Sequence, residues 1–274
     1  MNTILVPTDF SACADNAMMY AIQFAQAYKM EIMLLHIVQP STVDFSNTMY
    51  IDSVAPFIAE VEAKMNAKVE ALQTEYSDIP FHTKVELGFF LDSLKNISDE
   101  INPVFVAMGI SGSGTAFQKL IGSNAIVAMN TLHHPLLIVP KNTSFKPIHE
   151  LCLACDFKNV SATFPLLSVK AFSHLLVAKI HVLNIDFENQ NFSPSTPDEI
   201  AAFNDMMDGI DFESHFVENK NVEDAIDDFI EKNKMDMLVM LPKKHSFLDT
   251  LLHKKHVKEM AYHTHIPMLV LRIN

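Results

Sequence analysis

The chain has 274 residues, 49% of them hydrophobic, and a formal net charge of -13. That length suffices for one large domain or two of ordinary size, and the apolar share excludes a disordered chain. The negative charge disfavours DNA and RNA as partners, and no apolar run approaches the roughly 18 residues of a membrane span.

The N-terminus, MNTILVPTDF, lacks a basic region before its short apolar run. It therefore reads as a strand rather than a leader, and the expected location is the cytoplasm. Arg272 is the sole arginine. Bidentate arginine grips on phosphate are almost excluded, so a phosphate would be held by backbone N–H groups. Cys13, Cys152 and Cys155 suit a reducing compartment. Cys152 and Cys155 have metal-like spacing, but in a strand residues three apart face opposite sides, so a structural role is expected.

In chain order, TILVP is a short buried strand, and Ser11 to Tyr28 follows with helical spacing. EIMLLHIV is a second strand, Ser53 to Tyr76 a long helix and FHTKVEL a third strand. Phe90 to Glu100 reads as a helix and VFVAMG as the fourth strand. A glycine-rich segment follows, then a helix to about Leu132, then the strand LLIV. Continuous apolar strands alternating with helices imply a parallel sheet covered on both faces.

Lys141 to Pro147 is polar and reads as a linker. The pattern then restarts. ELCLACDF parallels TILVPTDF and sets Asp156 against Asp9; KIHVLNI parallels IMLLHIV. A helix from Pro197 to Met207, DFESHFV, a helix from Val222 to Lys232, MDMLVML and PMLVLRI complete the second set. From the fourth strand on, the halves align without gaps, Phe105 with Met237 and Pro135 with Pro267. The expected fold is α/β, with two tandem Rossmann-like domains at 1–141 and 147–274. Each has a five-stranded parallel sheet flanked by helices.

Ligands of open parallel sheets bind beyond the carboxyl ends of the strands. In the first half those ends carry Pro7-Thr8-Asp9, His36-Ile37 and Met108-Gly109. Asp9 reads two ways: as an acceptor for a base amine or ribose hydroxyl, or as the cap of the following helix. Four of the six glycines, Gly109, Gly112, Gly114 and Gly122, fall between residues 109 and 123. Glycine permits close backbone approach, and Gly122-Ser123 precedes a helix whose free N–H groups favour an anion. The alternative is a surface loop. The segment lacks the Gly-Lys-Ser/Thr end of a P-loop.

Gly109-x2-Gly112-x9-Gly122-Ser123 resembles the ATP-binding motif of the universal stress protein family. PTDFS at 7–11, LLHI at 34–37, VELG at 85–88 and HHPLLIVP resemble that family too. The resemblance implies that Pro7, Thr8, Asp9 and Ile37 surround an adenosine and that Met108 and Gly109 line the crevice. It places Gly112, Gly122, Ser123 and Asn124 at the ribose and phosphates. It implies ATP as ligand, with or without Mg²⁺, and pairing through the last strand, either as a homodimer or as an intrachain pseudo-dimer. Family members often carry Ser or Thr where Ala125 stands.

In the second half Leu241, Lys244, Lys254 and Lys255 replace Gly109, Gly112, Gly122 and Ser123. ATP binding in the family's manner is not expected there. The lysines between Lys243 and Lys258 read as a solvated helix face or as a site for an acidic partner. His253 and His256, with His245, His263 and His265 nearby, have lysine neighbours that repel a dication and no carboxylate or cysteine to complete a set, so no metal is expected. His36 is expected to be packed or hydrogen-bonded, and the methionines to fill the core.

The functional expectation is a nucleotide-binding regulatory protein of the stress response rather than an enzyme. The glycine segment offers Lys119 but no acid for phosphoryl transfer. The alternatives are a slow ATPase or nucleotidyl-transfer enzyme, or a scaffold that binds no nucleotide.

Overall fold

A computed structural model of the chain describes residues 2–39, 48–110, 123–186, 195–241 and 265–272. In the first half the strands are β1 (Thr3–Pro7), β2 (Glu31–Val38), β3 (Phe81–Leu87), β4 (Phe105–Ile110) and β5 (Leu136–Pro140). Between them run α1 (Ala12–Tyr28), α2 (Thr48–Glu75), α3 (Phe90–Ile101) and α4 (Ser123–Thr131). The second half has β6 (Glu150–Ala154), β7 (Lys179–Asp186), β8 (Phe212–Glu218), β9 (Met237–Met240) and β10 (Met268–Val270). Its described helices are α5 (Val160–Thr163), α6 (Leu166–Leu176), α7 (Thr196–Met206) and α8 (Val222–Asn233).

All ten strands form one sheet in the order β3-β2-β1-β4-β5-β10-β9-β6-β7-β8. Within each half every pairing is parallel. The halves meet where β5 and β10 pair antiparallel, Leu137 opposite Leu269. The last strands thus join the two five-stranded sets edge to edge, and neither leaves that edge open. In each half the strand order reverses beside the first strand, between β1 and β4 and between β6 and β9. Because the halves run antiparallel, these two switch points open on opposite edges of the sheet.

Both sheet faces are buried. One apolar cluster joins α1, α2, α6 and α7 to one face. The other joins α3, α4 and α8 to the opposite face. Each fully buried Leu, Ile or Val contributes roughly 1.5–3 kcal/mol, so these layers supply most of the driving force. Cys152 lies in one cluster and Cys155 in the other, as expected of strand residues three apart, and burial pushes the Cys152 thiol up to about 12. None of the three cysteines is in a disulfide.

The segment read as a linker is tied down. Phe145 packs edge-on against Tyr20 and Phe24, and its N–H donates to Gln23. The Asp236 carboxylate accepts from the N–H groups of His149 and Glu150, which starts β6.

The internal alignment holds from the fourth strand on. Ile4 pairs with Phe105 and Leu151 with Met237; Val106 pairs with Leu136 and Leu238 with Met268. At β2 and β7 the string match is off by one. Pro7 pairs with Leu35, and its counterpart Ala154 with Leu183. His36 is therefore the structural counterpart of Asn184, and Ile37 of Ile185.

Candidate functional site: the crevice between β1 and β4

The first crevice is built from the turn after β1. Ser11, with extended backbone, caps α1 by accepting from the Ala14 N–H at 3.2 Å. Asp9 is therefore not the cap. Its Oδ1 accepts from the Ser11 N–H at 2.9 Å, and the residue is exposed at the sheet edge. Partial burial opposes ionisation of Asp9, but the Ser11 hydrogen bonds and the nearby His36 outweigh it and hold the carboxyl below its ordinary value. The Thr8 hydroxyl accepts from the Phe10 N–H, and Phe10 takes a left-handed backbone, φ 61°. The second half repeats this turn: Lys158 N–H donates to Asp156, and Phe157 has φ 47°.

His36 closes the turn from β2. A carbonyl only accepts, so the His36 Nδ1–H donates to the Thr8 carbonyl at 2.8 Å. The ring stacks on Phe10 with centroids 4.8 Å apart, and the Lys64 ammonium sits 3.8 Å from the Phe10 centroid on the same ring system. Asn184 makes the corresponding bond to Cys155 O at 2.9 Å. His36→Asn keeps a donor and loses the stack, so it is expected to cost about 1 kcal/mol in urea denaturation. His36→Ala also removes the donor and is expected to cost about 1 kcal/mol more.

The predicted site residues fall into three groups. Pro7 and Thr8 are buried beside exposed Asp9, half-buried Ile37, buried Met108 and half-buried Gly109, all at the carboxyl edge of β1, β2 and β4. Ser123 and Asn124 open α4, which must begin at that same edge because β4 and β5 are parallel. Gly112 and Gly122 lie outside the described residues, as do the lysines from 243 to 258 and His245, His253, His256 and His263.

Gly109 has a packing reason that sequence reasoning missed. It sits inside β4, where α1 lies directly against the strand. A Cβ there would overlap the Cys13 carbonyl oxygen and stand 2.8 Å from both the carbonyl carbon and the thiol sulfur. The space is filled by α1 backbone, not left open for a ligand. In the second half the counterpart Leu241 is buried, and there the short helix α5 packs on α7.

The model of the universal stress protein family matches residues 1–140, half of the chain. The chain belongs to the universal stress protein family. Universal stress protein MJ0577 of Methanocaldococcus jannaschii is 25% identical over 155 residues, covering 52% of this chain and 96% of that protein. The crystal structure of a universal stress protein from Archaeoglobus fulgidus covers 99% of this chain and 98% of its own, with TM-score 0.71 and 18% identity. A universal stress protein structure from Pseudomonas aeruginosa covers 99% and 93%, with TM-score 0.60 and 14% identity. Those two structures share the fold over the whole chain, so the universal stress protein architecture extends through the second half. Among the described residues no helix is long and apolar enough to cross a membrane.

In the second half of this universal stress protein a small apolar pocket lies at the ends of β6 and β7 under α8, lined by Ala154, Asp156, Leu183, Ile185, Val222 and Ile226. Asp156 is buried where Asp9 is exposed. The two turns share their backbone geometry and differ in what they present to a ligand.

Proposed function

We propose that the first half binds one adenine nucleotide, ATP with or without Mg²⁺, and that the second half binds none in this manner. The carrying observation is the convergence of an exposed carboxylate, Asp9, the side chains of Ile37 and Met108, and the opening of α4 on one edge of the sheet switch point. That set suits an adenosine whose polar edge meets Asp9 and whose phosphates meet the backbone N–H groups that open α4. Gly112 and Gly122, by family resemblance, extend that backbone cradle. The bound nucleotide acts by shifting a conformational or partner equilibrium of a cytoplasmic stress-response protein. Turnover is at most slow, because the residues assigned to the phosphate side supply no general base.

Denaturing protein purified without added nucleotide, and identifying what it releases, tests this reading. Release of an adenine nucleotide from the native chain, lost in Gly122→Lys and kept in Lys254→Gly, is the expected result. Equal release from Gly122→Lys would refute it. Steady ADP production on the scale of about 1 s⁻¹ or faster would make the protein an enzyme instead.

A further inference from the structure

The second half carries a cluster of histidines and carboxylates that plays no part in the nucleotide crevice. In the register of the sheet, Cys152 pairs with His181 and His181 with Glu213. His181, Glu213 and His215 therefore share one face, with Glu150 two residues before Cys152 on the same side. One ligand atom from each of His181, Glu213 and His215 lies within 4.8 Å of the others. Phe229 of α8 covers the pair, its ring centroid 4.9 Å from His215 and 6.3 Å from His181.

The hydrogen bonds fix the tautomer. His181 Nε2 is 2.6 Å from Glu150 Oε2. An ionised carboxylate only accepts, so Nε2 carries the proton and the Nδ1 lone pair faces His215 Nε2 at 3.0 Å. A carboxylate behind an imidazole, with the other ring nitrogen pointing at a second imidazole, is the arrangement that orients metal-ligating histidines. Two imidazoles on one zinc ion at about 2.0–2.1 Å each stand roughly 3.3 Å apart, so a few tenths of an ångström of opening admits the ion. In the metal-free chain the His215 Nε2–H donates to the His181 Nδ1 lone pair, and the His215 ring takes its Nδ1–H tautomer when Nε2 turns to an ion.

The first half shows that the fold does not need this cluster. By the strand registers, the counterparts of His181, Glu213 and His215 are Met33, His82 and Lys84. There His82 meets Glu31 at 3.5 Å and Lys84 meets Glu100. The first pair joins β2 to β3 and the second ties β3 to α3, so ordinary ion pairs stand where the second half has the cluster.

We propose that His181, His215 and Glu213 form a site for a borderline divalent cation, zinc being the best match, with water as fourth ligand and Glu150 orienting His181. Two imidazoles and one carboxylate suit zinc far better than the hard cations, which prefer oxygen alone. The ion clips β7 to β8, the outer strand pair of the second half. Lys179 competes with it, because its ammonium holds Glu213 at 2.8 Å.

Titration of the chelator-stripped full chain with Zn²⁺, in competition with a chromogenic chelator, tests the site. To remove the histidine-rich C-terminal stretch from the count, the background is a chain with His245, His253, His256, His263 and His265 replaced by Gln. One ion per chain is expected in that background. His181→Met, which installs the residue of the first half, is expected to weaken binding at least about 100-fold, and Glu150→Gln about 10–100-fold. Lys179→Met is expected to tighten it several-fold, a change that a purely structural cluster would not give. Circular dichroism melts in chelator identify any variant that has not folded, and Lys179→Met alone then decides. Absence of binding in the background chain, unchanged affinity in folded His181→Met, or no tightening in Lys179→Met would each overturn the site.

Discussion

Replacing Gly109 by alanine is expected to cost about 1–3 kcal/mol, the ordinary penalty for forcing atoms into a packed core, and to sit at the upper end of that range. The reason is the identity of the neighbour. Flexible side-chain tips move aside at little cost, but the added Cβ would meet the Cys13 carbonyl, which belongs to the first turn of α1. Relief requires α1 to lift from β4, and α1 carries Tyr20, Ile22 and Phe24 into the core. Cys13→Ala removes the thiol contact alone and is expected not to rescue the variant. A urea midpoint for Gly109→Ala within error of the parent, or full rescue by Cys13→Ala, would show that the strand–helix approach is looser than described. The same substitution is expected to weaken nucleotide binding, because Asp9 and Ser11 ride on the turn that leads into α1.

The second large effect is at the junction of the halves. Leu137 and Leu269 face each other across β5 and β10, both 1% exposed. Leu137→Asp places a carboxylate there with only apolar neighbours, and it is expected to cost about 3–5 kcal/mol, the scale of an uncompensated buried charge. Leu137→Met, which conserves volume, is expected to stay below about 1.5 kcal/mol. One apolar cluster contains residues of both halves, including Leu137, Leu151 and Leu269, and Phe105 approaches Phe172 at 6.4 Å between centroids. The parent chain is therefore expected to melt in one calorimetric transition. Two well-separated transitions in the parent would mean that the halves fold independently and that the junction adds little.

Much of this architecture is readable without coordinates. Apolar runs such as TILVP and LLIV, buried on both faces, have no alternation to confuse with a half-exposed strand, and they mark β1 and β5 directly. Phe105 against Met237 and Pro135 against Pro267 aligned by sequence because both halves keep the same strand–helix spacing from β4 and β9 onward. The misses have local causes. The sequence reading began α2 at Ser53, yet the helix runs from Thr48 with Pro56 inside it. No helix was read between β6 and β7, where α5 and α6 stand on either side of Pro165. KIHVLNI and IMLLHIV match best by residue type one position out of register, because packing similarity along a buried strand does not fix register; the hydrogen bonds do.

That the residues after β1, β2 and β4 share one sheet edge was legible in the sequence, and their packing was not. Asp9 was open between ligand acceptor and helix cap; Ser11 takes the cap, and Asp9 holds the turn beside it. Gly109 was read as letting the backbone approach a ligand closely, and the structure adds a packing reason, the approach of α1. No one-dimensional signal distinguishes these, because both demand a residue without a side chain at the end of a strand. The histidine cluster was invisible for a different reason. Glu213 and His215 are two apart on one strand, but His181 joins them only through the β7–β8 register.

The central claim is one nucleotide site per chain, in the first half. Isothermal titration of nucleotide-free full-length protein with ATP, with and without Mg²⁺, measures it most directly. The expected result is a stoichiometry of about one, abolished by Gly122→Lys and unchanged by Lys254→Gly, with an affinity weakened by Gly109→Ala. A stoichiometry of two, or a single site that survives Gly122→Lys and is lost on altering Lys254, would place the nucleotide in the second half and contradict the account.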